Sequence, residues 1–155
     1  MPADGQFDFP VDVAVDTSGY VYVLDQNNAR VQVFSPDGEF LAKWGTYGTG
    51  DGQFRHPYGV AVGSDGSVYV ADTYLHRIQK FDASGGFLTQ WGSRGSGDGR
   101  FLYPRGVAVA PDGSVYVADT YNDRIQKFDA NGGFLTRWGS EGSGVGQFDS
   151  PRGVA

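Results

Sequence analysis

Apolar residues in this chain come in short runs separated by polar, glycine-containing turns. Between residues 99 and 145 the run Val107–Ala110 follows Pro104 and Gly106 and predicts a first strand. Pro111-Asp112-Gly113 predicts a turn, because Asp-Gly between apolar runs is a strong hairpin signal. Ser114–Asp119 (SVYVAD), rich in β-branched and aromatic residues, predicts a second strand. Thr120–Asp123 reads as a polar connection, Arg124–Asp129 (RIQKFD) as a third strand, Ala130–Gly133 as a turn and Phe134–Trp138 (FLTRW) as a fourth strand. No segment holds a helical period beyond about one turn. The first two strands are almost wholly apolar, which predicts a place near the axis of a stacked assembly. Gln126, Lys127, Thr136 and Arg137 predict that the third and fourth strands lie nearer the rim.

The same pattern recurs. Trp44, Trp91 and Trp138 stand 47 residues apart, and so do Gly5, Gly52, Gly99 and Gly146. The units run over about 5–45, 52–92 and 99–139, and the start of a fourth repeat occupies 146–155, so residues 1–155 read as one repeat array. Four antiparallel strands followed by a longer link is the pattern of a propeller blade. The expected fold is therefore all-β, a β-propeller of four-stranded antiparallel blades. A parallel β-solenoid fits poorly, since Asp-Gly hairpins demand antiparallel neighbours.

The shared pattern P-x-G-V-A-V-x-x-D-G-x-V-Y-V-A-D-T-x-x-x-R-I-Q-K-F resembles the NHL repeat. It covers Gly52–Gly139 closely. It covers Gly5–Gly45 with departures: Asp12 replaces the glycine of Gly59 and Gly106, and Leu24 replaces Ala71 and Ala118. The Gly-His and Trp-Asp signatures of WD40 blades are missing. The resemblance implies a propeller that is most often six-bladed and serves mainly as a recognition platform. It also implies relatives that bind RNA, and lyase and lactonase-like relatives with metals in the central channel.

Three NHL-type blades make half of such a six-bladed ring. An open arc would expose the faces of its end blades, and each end blade would lack a neighbour. Two chains paired head to tail as a homodimer would close the ring, and self-assembly of this kind is the expected partnership. Residues 146–155 would then compete with Gly5–Val15 of the partner for one innermost-strand position, because both read GQF followed by a proline and Val-Ala. The other expectation is a fragment of a longer array or an engineered half-propeller with no ligand.

Composition narrows the chemistry. The 155 residues include 25 glycines and no cysteine, so disulfides and thiolate chemistry are excluded. The net charge of −6 argues against nucleic acid as a partner. No run approaches a membrane span. The N-terminus lacks a basic segment followed by an apolar one, so no signal peptide is visible; a soluble protein is expected and its compartment stays open.

Candidate site residues follow from the repeat. Asp25, Asp72 and Asp119 end the second strand of each unit, with Arg30, Arg77 and Arg124 five residues on. A pair present in every unit is expected to be structural, since an active site should break the symmetry. His56 and His76 occupy non-equivalent places and predict no metal site or other cofactor. Asp51 and Asp98 are single acids in their links, too few to hold Ca²⁺. The glycine runs Gly92–Gly99 and Gly139–Gly146 lack the Lys-Ser/Thr of a phosphate loop and read as flexible links. Differences between units two and three concentrate at Arg55/Leu102, His56/Tyr103, Tyr58/Arg105, Leu75/Asn122 and His76/Asp123, on the face that carries the inter-blade loops. There Tyr58, Tyr74, Arg105, Tyr121 and Arg152 are the expected binding residues. The expected function is a non-catalytic scaffold that recognises a protein or small ligand on that face. The alternative is a metal-dependent propeller hydrolase or lyase.

Overall fold

The computed structural model describes residues 2–155. Three four-stranded antiparallel sheets follow one another along the chain. The first holds β1 (Pro10–Val15), β2 (Val21–Asp25), β3 (Arg30–Phe34) and β4 (Phe40–Trp44). A short parallel pair, β5 (Thr46–Tyr47) and β6 (Gln53–Phe54), folds the next linker on itself. The second sheet holds β7 (Gly59–Val62), β8 (Val68–Asp72), β9 (Arg77–Phe81) and β10 (Phe87–Trp91). The third holds β11 (Val107–Val109), β12 (Val115–Asp119), β13 (Arg124–Phe128) and β14 (Phe134–Trp138). Each sheet is a meander, and the registers are equivalent: Val23 faces Gln32, Val70 faces Gln79 and Val117 faces Gln126.

Local chemistry sets the turns. Asp16 accepts the backbone N–H groups of Ser18 and Tyr20, and Asp65 and Asp112 accept those of Ser67 and Ser114. These are Asx turns, which close the first hairpin of each blade. The β8–β9 and β12–β13 connections are single 3₁₀ turns, Thr73–Leu75 and Thr120–Asn122. They end in left-handed residues, His76 and Asp123. Among the described residues no helix is long and apolar enough to cross a membrane.

The sheets stack face to face, with β1 beside β7 and β7 beside β11 on the inside of the arc. The inner strands approach closely: a Cβ on Gly59 would lie 2.0 Å from the Arg105 carbonyl oxygen. Only glycine fits there. Asp12 takes this position in the first blade, and its carboxylate accepts the Val60 N–H at 2.9 Å instead. One apolar cluster fills each junction. Leu24, Phe54, Val60 and Phe81 lie in the first, and Ile78, Phe101, Val107 and Phe128 in the second. A tryptophan closes each: Trp44 packs on Phe81 (centroids 5.8 Å apart) and over Gly85, and Trp91 on Phe128 (5.6 Å) and over Gly132.

Burial follows the number of neighbours. β8 and β9, in the middle sheet, are buried throughout. Val13, on the open face of the first sheet, is 56% exposed, and Trp138, on the open face of the third, is 44% exposed. Residues 146–155 continue past the third sheet. Phe148 covers Gly139, Ser150 N–H donates to Asp123 Oδ1 (2.7 Å), and the Arg152 carbonyl lies against Gly106.

Two expectations are corrected. The third and fourth strands do lie outside the first two, but Gln126, taken as a mark of the rim, is fully buried, as are its equivalents Gln32 and Gln79. The glycine-rich links are held by side-chain hydrogen bonds rather than left loose. Both corrections have one cause, a buried network anchored on the carboxylates that end β2, β8 and β12.

Candidate recognition face and the network beneath it

In every blade the carboxylate at the end of the second strand organises the link that enters the blade. Asp72 Oδ2 accepts from Arg77 Nε (2.8 Å) and Gln79 Nε2 (3.3 Å), and Oδ1 accepts the Arg55 N–H (2.8 Å). Asp25 receives Arg30 Nε (2.8 Å), Gln32, Asn28 and the Asp8 N–H. Asp119 receives Arg124 Nε (2.7 Å), Gln126 (3.0 Å), Asn122 (2.9 Å) and the Leu102 N–H (2.8 Å). All three carboxylates are fully buried. The guanidinium and amide groups then reach the link. Arg77 donates to the carbonyls of Gly50 and Gln53, and Gln79 accepts the Gly52 N–H. Arg124 and Gln126 repeat this on Ser96, Gly97, Arg100 and Gly99. Burial pushes the Asp72 carboxyl upward, and its three donors pull it back.

This network delivers each link to its proline. The residue before that proline is left-handed in every unit: Phe9, His56, Tyr103 and Ser150 have φ between 46° and 56°. The turn aims three rings, those of Phe9, His56 and Tyr103, along one face. His56 meets Tyr74 at a tilt (centroids 4.9 Å apart), and Tyr74 meets Tyr103 (5.4 Å) and Tyr103 meets Tyr121 (5.3 Å) edge to face. Tyr47 extends the row through His56 (6.4 Å). Tyr47, His56, Tyr74 and Tyr121 are exposed.

Arg105 joins this row to the inside of the arc. Its guanidinium carbon lies 4.8 Å from the Tyr58 ring centroid and 6.0 Å from that of Tyr121. Its Nε is buried with no hydrogen-bond partner among the described residues. Beside it opens a cavity of about 450 Å³ lined by Phe9, Asp12, Tyr58, Arg105 and Arg152. Burial pushes the Asp12 carboxyl upward against the N–H groups of Val60 and Val13. His76 Nδ1 accepts the Tyr103 N–H at 3.0 Å, and burial with nearby Arg94 lowers the affinity of this imidazole for a proton.

The structure thus brings Tyr58, Arg105 and Arg152 to one cavity and Tyr74 and Tyr121 to the adjoining aromatic row. Sequence reasoning missed Tyr47 and placed His56 and Tyr103 on this face without counting them among the binding residues. The signal was available in part, since Phe9, His56 and Tyr103 occupy one column of the repeat. It also missed the buried glutamines, which form the third column of the Asp–Arg network.

A meander of four strands, stacked blade on blade with the first strands inside, defines a repeat protein of the β-propeller class. The NHL repeat model matches residues 7–34, 54–81 and 101–128. The chain belongs to the NHL-repeat family. No curated protein sequence matches it. Among solved structures it is similar to hydrazine synthase of Kuenenia stuttgartiensis, with a TM-score of 0.72 at 14% identity over 99% of this chain and 40% of that one. It is also similar to virginiamycin B lyase from Staphylococcus aureus (TM-score 0.63, 17% identity, 83% of this chain, 40% of that one). A nidogen/laminin complex gives a TM-score of 0.61 at 23% identity, over 83% of this chain and 48% of that one. The chain spans less than half the length of each.

Proposed function

We propose that this chain is a non-catalytic recognition module that binds a protein segment or small ligand across the face carrying Tyr58, Tyr74, Arg105 and Tyr121. The observation that carries the reading is the continuous row of five rings, four of them exposed and Tyr103 half-buried, ending on a guanidinium with an unused buried donor. Rigid rings and an arginine offer large contact area and charge-assisted hydrogen bonds at low entropic cost. The ligand chemistry that fits is an acidic group flanked by an apolar or aromatic one. In the same reading two chains close one six-bladed ring, and Arg105 and the aromatic row occur twice on one rim. A propeller neighbour found in a nidogen/laminin complex is in keeping with a protein-binding role.

The test is a synthetic peptide array probed with wild-type protein, Arg105→Ala and the double variant Tyr74→Ala/Tyr121→Ala. Acidic aromatic peptides retained by the wild type should be lost by both variants while urea unfolding stays unchanged. Equal retention by all three proteins would refute the assignment of this face. Stoichiometric Zn²⁺ or Ca²⁺ in the purified protein would favour the hydrolase or lyase reading instead.

A further inference from the structure

The two junctions within the chain share one aromatic seat, and that seat specifies a third. At the first, the Trp44 ring covers Gly85, where a Cβ would lie 2.6 Å from the indole. At the second, Trp91 covers Gly132 in the same way, at 2.5 Å. Both glycines have positive φ and turn from the third strand into the fourth. Gly38 is the equivalent of both, with φ +88°, yet a Cβ there would meet nothing within 4 Å among the described residues. Trp138 is the equivalent of Trp44 and Trp91, yet it is exposed. One end of the arc carries a tryptophan with no glycine to cover. The other end carries a glycine with no tryptophan on it.

The empty end is already shaped. A cavity of about 350 Å³ on the open face of the first sheet is lined by Gly5, Phe7, Val21, Phe34, Pro36 and Gly38. Phe7 and Phe34 stand 5.7 Å apart, and Phe54 and Phe81, beside the seated Trp44, also stand 5.7 Å apart. The open face of the third sheet carries the polar half of the match. At the second junction Lys80 Nζ (2.8 Å) and the Tyr69 hydroxyl (3.1 Å) both donate to the Ala130 carbonyl, and the lysine lies over the tyrosine ring. Lys127 and Tyr116 repeat that pair with the same 5.4 Å separation, at a face with no following sheet. The carbonyl equivalent to that of Ala130 belongs to Pro36, on the rim of the empty cavity.

We infer that the cavity at Gly38 is the docking socket for Trp138 of a second copy of this chain. Lys127 and Tyr116 then donate to the Pro36 carbonyl of that copy. The inference rests on the closed-ring reading above and adds its contacts. The interface is heterologous, with a different surface on each side, so two such junctions close a two-chain ring. The tail at 146–155 lies where the incoming β1 of the other copy belongs, so docking displaces it.

The test is the molar mass of purified protein across a concentration series, for wild type, Trp138→Ala, Gly38→Asn and an equimolar mixture of the two variants. Asparagine tolerates positive φ and meets open space in the isolated chain, so Gly38→Asn should fold. The wild type should dimerise, and each single variant should weaken the dimer at least about 100-fold, since both junctions lose an aromatic anchor. The mixture should recover it, because a mixed pair has one intact junction and one in which the truncated side chain of Trp138→Ala leaves room for the enlarged side chain of Gly38→Asn. A wild-type dimer that neither variant weakens, or a mixture that fails to recover, would overturn the socket and leave ring closure standing. A wild type that stays monomeric throughout would overturn both.

Discussion

Removing the Asp119 carboxylate should cost more than any single hydrogen bond on the surface. Asp119 is fully buried and receives four donors, one of them the nearly buried Arg124 guanidinium. Asp119→Ala strands that cation, and breaking a buried ion pair from one side costs about 3–5 kcal/mol. The Leu102 N–H and the amides of Gln126 and Asn122 lose an acceptor as well, each worth about 1 kcal/mol or more if left dry. Arg124 keeps its carbonyl acceptors on Ser96, Gly97 and Arg100, which limits the damage. The net expectation is about 4 kcal/mol, a large part of the roughly 5–15 kcal/mol that holds a domain folded. Asp119→Asn keeps the shape and one acceptor but turns an NH₂ toward the remaining donors, and should cost about half as much. Urea unfolding followed by tryptophan fluorescence at one protein concentration measures both. Hydrogen exchange at Leu102 should accelerate in step. A loss under about 1 kcal/mol for Asp119→Ala, or an unchanged Leu102 exchange rate, would refute the view that this carboxylate holds the incoming link.

Three further outcomes are expected. The His76 imidazole holds its proton less tightly when folded than the ordinary 6.5 of the unfolded chain, so its contribution is complete above about pH 6.5 and is lost as the pH falls below it. Urea midpoints between about pH 8 and about pH 5 should show this loss, and His76→Asp, which copies Asp123 and keeps an acceptor for the Tyr103 N–H, should remove it. Gly92→Ala should cost at least about 2 kcal/mol in the same assay, because its φ is +101° and the added Cβ would lie 2.5 Å from Phe101 and 2.9 Å from the His76 carbonyl. Deleting residues 146–155 should tighten dimerisation about tenfold or more in sedimentation measurements by removing an internal competitor; a weaker dimer would show that the tail supports the junction.

The blades were legible because their signals are local. Asp-Gly turns, β-branched runs and the 47-residue period each lie within one unit, and the strands fall within a residue or two of the expected places. The Asp–Arg spacing was visible for the same reason, but its purpose was not. Asp72 meets Arg77 five residues away and also the Arg55 N–H on the link before the blade, a contact that depends on how the link is routed. Gln126 was read as a rim residue because a polar residue on a strand suggests solvent, whereas here it completes the equivalent buried network around Asp119. The aromatic row could not be read in advance. It joins residues 47, 56, 74, 103 and 121 across two blades, through left-handed residues before proline.

The route of the hydrogen bonds also says where the protein can be cut. Each glycine-rich link is fastened mainly to the blade it enters: Gly50, Gly52, Gln53 and Arg55 all bond to Asp72, Arg77 or Gln79. It meets the blade it leaves through fewer groups, chiefly the ring of Phe54 over Gly45. The transferable module therefore begins just after one tryptophan and ends at the next, over residues 45–91 or 92–138. It is offset from the sheet that the eye would pick out, which starts only after the link. Grafts, circular permutants and duplications joined at the tryptophan–glycine step should keep every blade with its own entry strap, whereas those joined at the proline should sever it.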